Sequence, residues 1–328
     1  MDTLTNNILD CALVFEGGGY RAAYTAGIAR VLLEQQMYFD FVCGLSAGAS
    51  HTVDYVSRDL HRTRWAFMGH KPTGVQIGGI PSLVRGMGYF NADYLYAGCV
   101  EDGYLPFDWD TFQANPTRIR IQAFERDSGR TLTFGKEDMP DVITTINLVR
   151  ASSTLPGMMK PLPMDGRVLL DGGLGHGAGI PLHMAEEAGY HKFFFVATRP
   201  KGYRKMPPSK RDRMLYGVIA RDHPYLRHAL LTRWERYNDE LGRMERLARE
   251  GRCLVVYPDE MPVQNSTLDT TRLEAAYDMG HAQGMRDLPQ WREFLFGAPD
   301  AGPHPDPADI RERIRRADGN DDYIVLEP

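Results

Sequence analysis

Apolar and polar positions along the chain fall into two kinds of block. Residues 11–16, Cys-Ala-Leu-Val-Phe-Glu, are a short apolar run stopped by three glycines, the pattern of a buried strand. Residues 22–36 place Ile28, Val31 and Leu32 among alanines and leucines at helical spacing, which predicts a helix lying on a sheet. A second apolar run at 39–45 predicts another strand, and 47–60 another helix. Strand, helix, strand, helix with short connections predicts a parallel sheet covered by helices.

From about residue 60 to 115 this pattern is lost among glycines, prolines and aromatics, which predicts loops and short helices walling a pocket. Strands are expected again at 118–126 and 130–135, a helix near 141–153, and strands at 167–173 and 192–200. The last of these is almost wholly apolar, as a central strand should be. Residues 205–250 read as charged helix ending at Gly251, followed by a buried strand at 253–258 and a helix near 270–297. The expected class is α/β, a mainly parallel central sheet flanked by helices, with a mostly helical C-terminal extension. The expected division is a catalytic-type domain over 10–200, the extension over 201–297 and a partly ordered Pro/Asp-rich tail over 298–328. No internal repeat is visible.

Composition narrows the function classes. The chain has 328 residues, 43% apolar and 25% charged, with a net charge of −5, which argues against a nucleic-acid partner. Cys11, Cys43, Cys99 and Cys253 are scattered, with no C-x-x-C pair and no neighbouring histidine at ligand spacing. That pattern predicts neither a zinc site nor a disulfide framework and suits a reducing compartment. The first ten residues lack the basic and apolar regions of a signal peptide, and no run approaches 18 apolar residues. A cytoplasmic location is the expectation.

Three short motifs carry candidate chemistry. Gly44-x-Ser46-x-Gly48 follows a predicted strand and opens a predicted helix, the setting of a nucleophilic serine on a sharp turn. The helix N-terminus aimed at it favours developing negative charge; the bland alternative is a small-residue turn with an incidental serine. Gly17-Gly18-Gly19-Tyr20-Arg21, between the first strand and helix, can present successive N–H groups to a phosphate or to the oxyanion of an acyl intermediate. A dinucleotide site would need an acid at the end of the second strand, but Asp40 lies at its start. There is no Gly-Lys-Ser/Thr for a Walker loop either, so the oxyanion role fits better. Leu169-Leu170-Asp171-Gly172-Gly173 sends an aspartate out of an apolar strand. Alone it reads as readily as a metal ligand or an Asx turn. All three motifs are expected at C-terminal ends of parallel strands, where α/β sites gather. Ten histidines are present, yet none stands at the end of a clear strand, where a Ser-His-Asp triad would want one. His51 lies too far into the predicted helix, and His176 and His183 follow Asp171 closely.

Together the motifs resemble the patatin-like phospholipase family, in its order and spacing: a glycine-rich oxyanion loop with a trailing Arg, then G-x-S-x-G, then D-G-G. The blocks at 148–162 and 180–200 and the stretches Tyr89–Tyr96 and Pro106–Phe112 extend the likeness over roughly residues 10–290, most closely to bacterial members with a helical C-terminal extension. Two positions depart from the pattern: Ala22 stands where glycine is frequent, and Gly179 precedes Ile-Pro where Asn or Asp is commoner, a change expected near the Asp171 pocket.

The resemblance implies a Ser-Asp dyad without histidine: Ser46 as nucleophile, Asp171 as general base, Gly17, Gly18 and Gly19 as oxyanion donors, Arg21 supporting their loop, and Gly44 and Gly48 shaping the elbow. It implies hydrolysis of lipid acyl esters with no metal and no cofactor. A lipid-binding regulatory protein with little turnover is the rival. Trp65, Phe67, Met68, Met87, Tyr89, Phe90, Tyr94 and Tyr96 are candidates for an acyl pocket or ordinary core. Transient contact with a membrane surface is left open by the substrate class, although no strongly basic amphipathic helix marks it.

Overall fold

A computed structural model describes residues 4–68 and 75–297; the Pro/Asp-rich tail expected at 298–328 lies outside the described residues. The first apolar run is β1 (Ala12–Phe15), followed by α1 (Ala22–Glu34), β2 (Phe41–Leu45) and α2 (Ala47–Val56). The stretch without periodicity holds short helices: α3 (Leu60–Trp65), α4 (Ile80–Val84), α5 (Cys99–Glu101) and α6 (Trp109–Ala114), with a turn of π-helix over Tyr94–Gly98. Next come β3 (Arg118–Glu125), β4 (Thr131–Phe134) and α7 (Val142–Ser153), the last started by Asp141, whose carboxylate accepts from Thr144 N–H. The order continues with β5 (Pro163–Met164), β6 (Arg167–Asp171), α8 (Leu182–Glu187), β7 (Phe193–Val196), α9 (Lys210–Ile219), α10 (Pro224–Arg249), β8 (Cys253–Val256) and α11 (Thr270–Phe296).

Among the described residues the strands join in the order β5-β6-β3-β2-β1-β7-β8, with β4 also on β3. The pairs from β3 through β8 are parallel, while β4 and β6 run antiparallel to β3. This corrects one expectation: the strand that carries Asp171 is not one of the parallel set. The register explains how it still reaches the site. β4 pairs with residues 121–124 of β3, β2 with 118–122 and β6 with 123–125. Each overlaps β4, so β2 and β6 occupy the opposite edge of β3, end to end. They approach from opposite directions and meet where Leu45 faces Gln122 and Asp171 faces Ala123.

The core follows from strand alternation. Phe194 of β7 faces Phe39 and Trp291 on one side of the sheet, while Phe193 and Phe195 join Tyr190 and Tyr237 on the other. Each fully buried ring contributes roughly 1.5–3 kcal/mol of transfer free energy. The extension shares this core. β8 pairs with β7, and Leu254 and Val256 pack in the same cluster as Leu13 and Phe15. α11 crosses α1 backbone to backbone, since a Cβ on Gly27 would stand 2.3 Å from Tyr277 O and one on Gly280 2.0 Å from Tyr24 O. β8 and α11 of the extension thus complete the sheet and core that begin with β1 and α1.

Candidate active site

Ser46 sits between β2 and α2 with φ 55° and ψ −128°, a left-handed conformation that a non-glycine residue adopts at a cost of about 1–3 kcal/mol. The flanking glycines enforce it. A Cβ on Gly44 would lie 2.2 Å from Gly48 O, and one on Gly48 2.3 Å from Phe15 O, so the turn, α2 and β1 touch through bare backbone. The Ser46 N–H donates to Ser152 Oγ at 2.9 Å, and Ser152 Oγ donates in turn to Gln122 O at 2.5 Å. The serine is thereby tied to α7 and β3.

The glycine loop lies against this turn: a Cβ on Gly17 would be 3.2 Å from Ser46 Cβ. Its N–H groups are not equivalent. Gly17 N–H donates to Gly179 O at 3.2 Å, whereas among the described residues the N–H groups of Gly18 and Gly19 meet no acceptor. Gly19 has φ +54°, and a Cβ there would stand 2.6 Å from Asn265 O. Arg21 is buried with Nε lacking a partner. Its burial first, and Arg199 second, lower its pKa to about 10 against the pull of Glu16. The departure at Gly179 thus bears on the glycine loop as well as on the Asp171 side: Gly179 takes φ +134° and supplies the carbonyl that holds Gly17.

Asp171 ends β6 and is 1% exposed. Its Oδ1 accepts from Gly173 N–H at 2.8 Å, while Oδ2 is buried with no hydrogen-bond partner among the described residues. Half of the carboxylate holds its own turn, and the other half is unengaged among the described residues. A Cβ on the following Gly172 would lie 2.2 Å from Gln122 O and 3.1 Å from Leu45 Cβ, so the two strand ends abut. Ser46, Asp171, the glycine loop and the elbow glycines are therefore brought together.

Ser46 opens into a narrow cleft of about 80 Å³. Its walls are Phe67 and Leu105 from the irregular segment, Phe90, Leu95 and Tyr96 around the π-turn, and Ile146, Val149 and Met159 from and after α7. Of the aromatics expected in an acyl pocket, Phe67, Phe90 and Tyr96 line it. At the far end Asp54 and Arg62 form a buried ion pair at 2.7 Å. Burial lifts the Asp54 carboxyl to about 6, with Arg62 holding it partly down. Burial also raises Tyr96 to about 12, and Ser153 and Asp171 are its neighbours.

Several contributors were not singled out by motif. Ser152 and Ser153 lie in the block before Asp171, Asn265 comes from the extension, and Arg233 of α10 places Nη2 2.5 Å from where a Gly173 Cβ would be. Only the serine pair had a sequence signal, its place in that block. Among the described residues no histidine hydrogen-bonds to Ser46 or Asp171. His51 is packed between Phe15 and Phe67 and bonded to Thr25 Oγ1 at 2.8 Å.

The profile of the family described as "Patatin-like phospholipase" matches residues 13–185, and that of "Domain of unknown function (DUF6363)" matches residues 223–296. The chain is 25% identical over 198 residues to "Uncharacterized protein YjjU" of Escherichia coli, covering 58% of this chain and 52% of that protein. It is 23% identical over 306 residues to "Lysophospholipase NTE1" of Kluyveromyces lactis, covering 88% of this chain and 20% of that protein. The chain thus spans about half the length of the first relative and a fifth of the second. Among solved structures, VipD from Legionella pneumophila aligns with a TM-score of 0.45 at 12% identity, over 87% of this chain and 68% of that chain.

Proposed function

Since the chain belongs to the patatin-like phospholipase family, we propose that it is a serine acyl hydrolase cleaving lipid acyl esters through Ser46 and Asp171. Ser46 Oγ gives its proton to Asp171 Oδ2 as it attacks the ester carbonyl. The oxyanion that forms is held by the N–H groups of Gly18 and Gly19, with Gly17 committed to fixing their loop. Asp171 then protonates the departing alkoxide; water, deprotonated by the same carboxylate, attacks the acyl carbonyl, and Asp171 returns that proton to Ser46 Oγ as the fatty acid leaves. A carboxylate is a weak base toward a hydroxyl, so the rate depends on positioning and on oxyanion stabilisation. No step calls for a metal.

The observation that carries this reading is a buried carboxylate oxygen without a partner at the same strand junction as a strained serine, at the edge of an apolar cleft. The substrate class is supported by the cleft and by its surroundings. Ile80, Leu83 and Val84 of α4, and Met214, Leu215 and Val218 of α9, are exposed. They are linked to the cleft through the Gly88–Met159 bridge and the contact of Gly157 with Ile219. Such a rim suits transient contact with a lipid surface. Among the described residues no helix is long and apolar enough to cross a membrane.

Labelling with a fluorophosphonate probe, followed by incubation with a mixed lipid extract and mass spectrometry of the products, tests the proposal. Wild type should be labelled and should release fatty acid, whereas Ser46→Ala should do neither and Asp171→Asn should lose turnover. Full esterase activity in Ser46→Ala would refute it.

A further inference from the structure

Outside the cleft, three metal-capable side chains converge between β6 and β7. His183 and Glu187 stand four residues apart on α8 and so share a face. His176 is folded back over His183 by Gly177, Ala178 and Gly179, with φ values of 72°, 50° and 134°. The two imidazoles stack at 4.0 Å, and ligand atoms of His176, His183 and Glu187 all lie within 4.8 Å of one another.

The protonation of His183 follows from its neighbour. Gln122 Nε2 donates to Gly172 O at 2.7 Å and to His176 O at 2.9 Å, which fixes the amide with Oε1 toward His183. Oε1 can only accept, and it meets His183 Nε2 at 2.7 Å, so Nε2 bears the hydrogen and Nδ1 the lone pair. That Nδ1 is buried and has no hydrogen-bond partner among the described residues. His183 itself is 5% exposed. A Cβ at Gly177 would lie 3.4 Å from the atom, so the turn residue beside it is the one that leaves most room. An imidazole whose N–H is held by an amide and whose second nitrogen is bare is how proteins present a histidine to a metal.

We propose that His176, His183 and Glu187 bind a first-row transition dication, with Zn²⁺ the ion best suited to two imidazoles and one carboxylate, and water completing the shell. The nearby Arg243 is paired with Glu186 and Glu240, which softens its repulsion of a cation. Glu187 is exposed and already engaged elsewhere, but a carboxylate has two oxygens and can keep one contact while ligating. The half-exposed His176 ring turns out of the stack to converge on the ion. Gln122, which touches no metal, is a positioning residue: it orients His183 and also grips Gly172 O, next to Asp171. Metal binding should therefore stiffen the turn that carries Asp171, whether or not the protein hydrolyses lipids.

Calorimetric titration of the metal-free full chain with ZnCl₂, alongside thermal unfolding in Zn²⁺ and in Mg²⁺, tests the site. One Zn²⁺ per chain and a rise in melting temperature with Zn²⁺ but not Mg²⁺ are expected. His176→Ala and Glu187→Gln, at half-exposed and exposed positions, should fold and each weaken binding at least tenfold. Gln122→Leu should weaken it about 10–100-fold. His281→Ala, which removes a histidine paired with Glu34 elsewhere, should change nothing. Absence of stoichiometric Zn²⁺ binding, or binding unchanged in both His176→Ala and Glu187→Gln, overturns the proposal.

Discussion

The two turns that meet on the edge of β3 are built in opposite ways. At the Ser46 elbow the backbone is strained, with φ 55°, and the restraints are two glycines within two residues that abut each other and Phe15 O. At the Asp171 turn the backbone is relaxed, with φ −45°, and the restraint is pairing with Ala123 together with the carboxylate's own bond to Gly173 N–H. Ser46 is positioned by local sterics and Asp171 by a distant strand. A local device resists substitution in its glycines. A non-local one resists it in its partner strand.

The largest expected effects remove the proposed reacting groups themselves. Ser46→Ala should lower ester turnover by roughly 10⁴-fold or more, and Asp171→Asn by about 10²–10⁴-fold, on the scale of losing a nucleophile or a general base. Both side chains are small and neither change adds volume, so urea unfolding should shift far less than turnover does. Turnover retained by Asp171→Asn would separate the two turns, leaving the elbow active with some other base.

Next in size are the glycines, where the turns should part company in stability. Gly48→Ala drives a Cβ to 2.3 Å from Phe15 O, a backbone atom that cannot step aside, and should cost about 3 kcal/mol in urea unfolding. Gly173→Ala meets Arg233 Nη2 at 2.5 Å, the mobile end of a half-exposed side chain, and Asp171 Oδ1 at 2.8 Å. It should cost under about 1 kcal/mol, because the arginine can move, while displacing Asp171 enough to slow turnover. Equal destabilisation by the two changes would contradict the contrast between a rigid elbow and a compliant turn. Between the two in stability falls Ser152→Ala, which leaves the buried Ser46 N–H without its acceptor and should cost about 1–3 kcal/mol, with roughly tenfold slower turnover.

The same contrast governs what the sequence discloses. The elbow is legible because its steric need is written as Gly44 and Gly48 beside the serine, and the glycine loop is legible for the same reason. Asp171 is legible as a residue but not in its direction of approach. Nothing in Leu169-Leu170-Asp171 says that the strand runs against β3, since pairing is decided by a segment far away in the chain. The segment from 60 to 115 advertises itself only by losing periodicity, so its role as a wall is readable and its lining residues are not. Phe67, Phe90 and Tyr96 reach the cleft, whereas nothing in the spacing of Trp65, Tyr89 and Tyr94 distinguishes them from those three. Arg233 reaches Gly173 from α10, and His176 reaches His183 through a turn in which Ala178 takes a positive φ that its residue type does not foretell. The bond between the first 200 residues and the extension is hidden for the same reason: β8 is an ordinary apolar run until it is seen to pair with β7.

Behind each turn lies a buried histidine, and acid gives the mildest way to probe them. His51, under the elbow, is held at about 3 by burial, and His183, which Gln122 joins to the Asp171 turn, is pushed well below the usual histidine range by burial and then by His176. In both cases the folded pKa is depressed, so the unfolded chain takes up a proton near pH 6.5 that the folded protein refuses. Their contribution to stability is complete above pH 6.5 and is lost as pH falls toward 3, by at most about 1.4 kcal/mol per pH unit for each group. Asp54 works the other way. Its carboxyl is raised to about 6, so the stability it contributes is greatest below pH 4 and is lost as pH rises through 6, offsetting one histidine across that window. Urea midpoints at pH 7.5 and 5.5 should therefore fall with acid in wild type. His51→Gln keeps a polar partner for Thr25 and removes one of the two proton sites, so it should bring the midpoints close together. If the acid loss survives that change undiminished, it arises on the Asp171 side and not at the elbow.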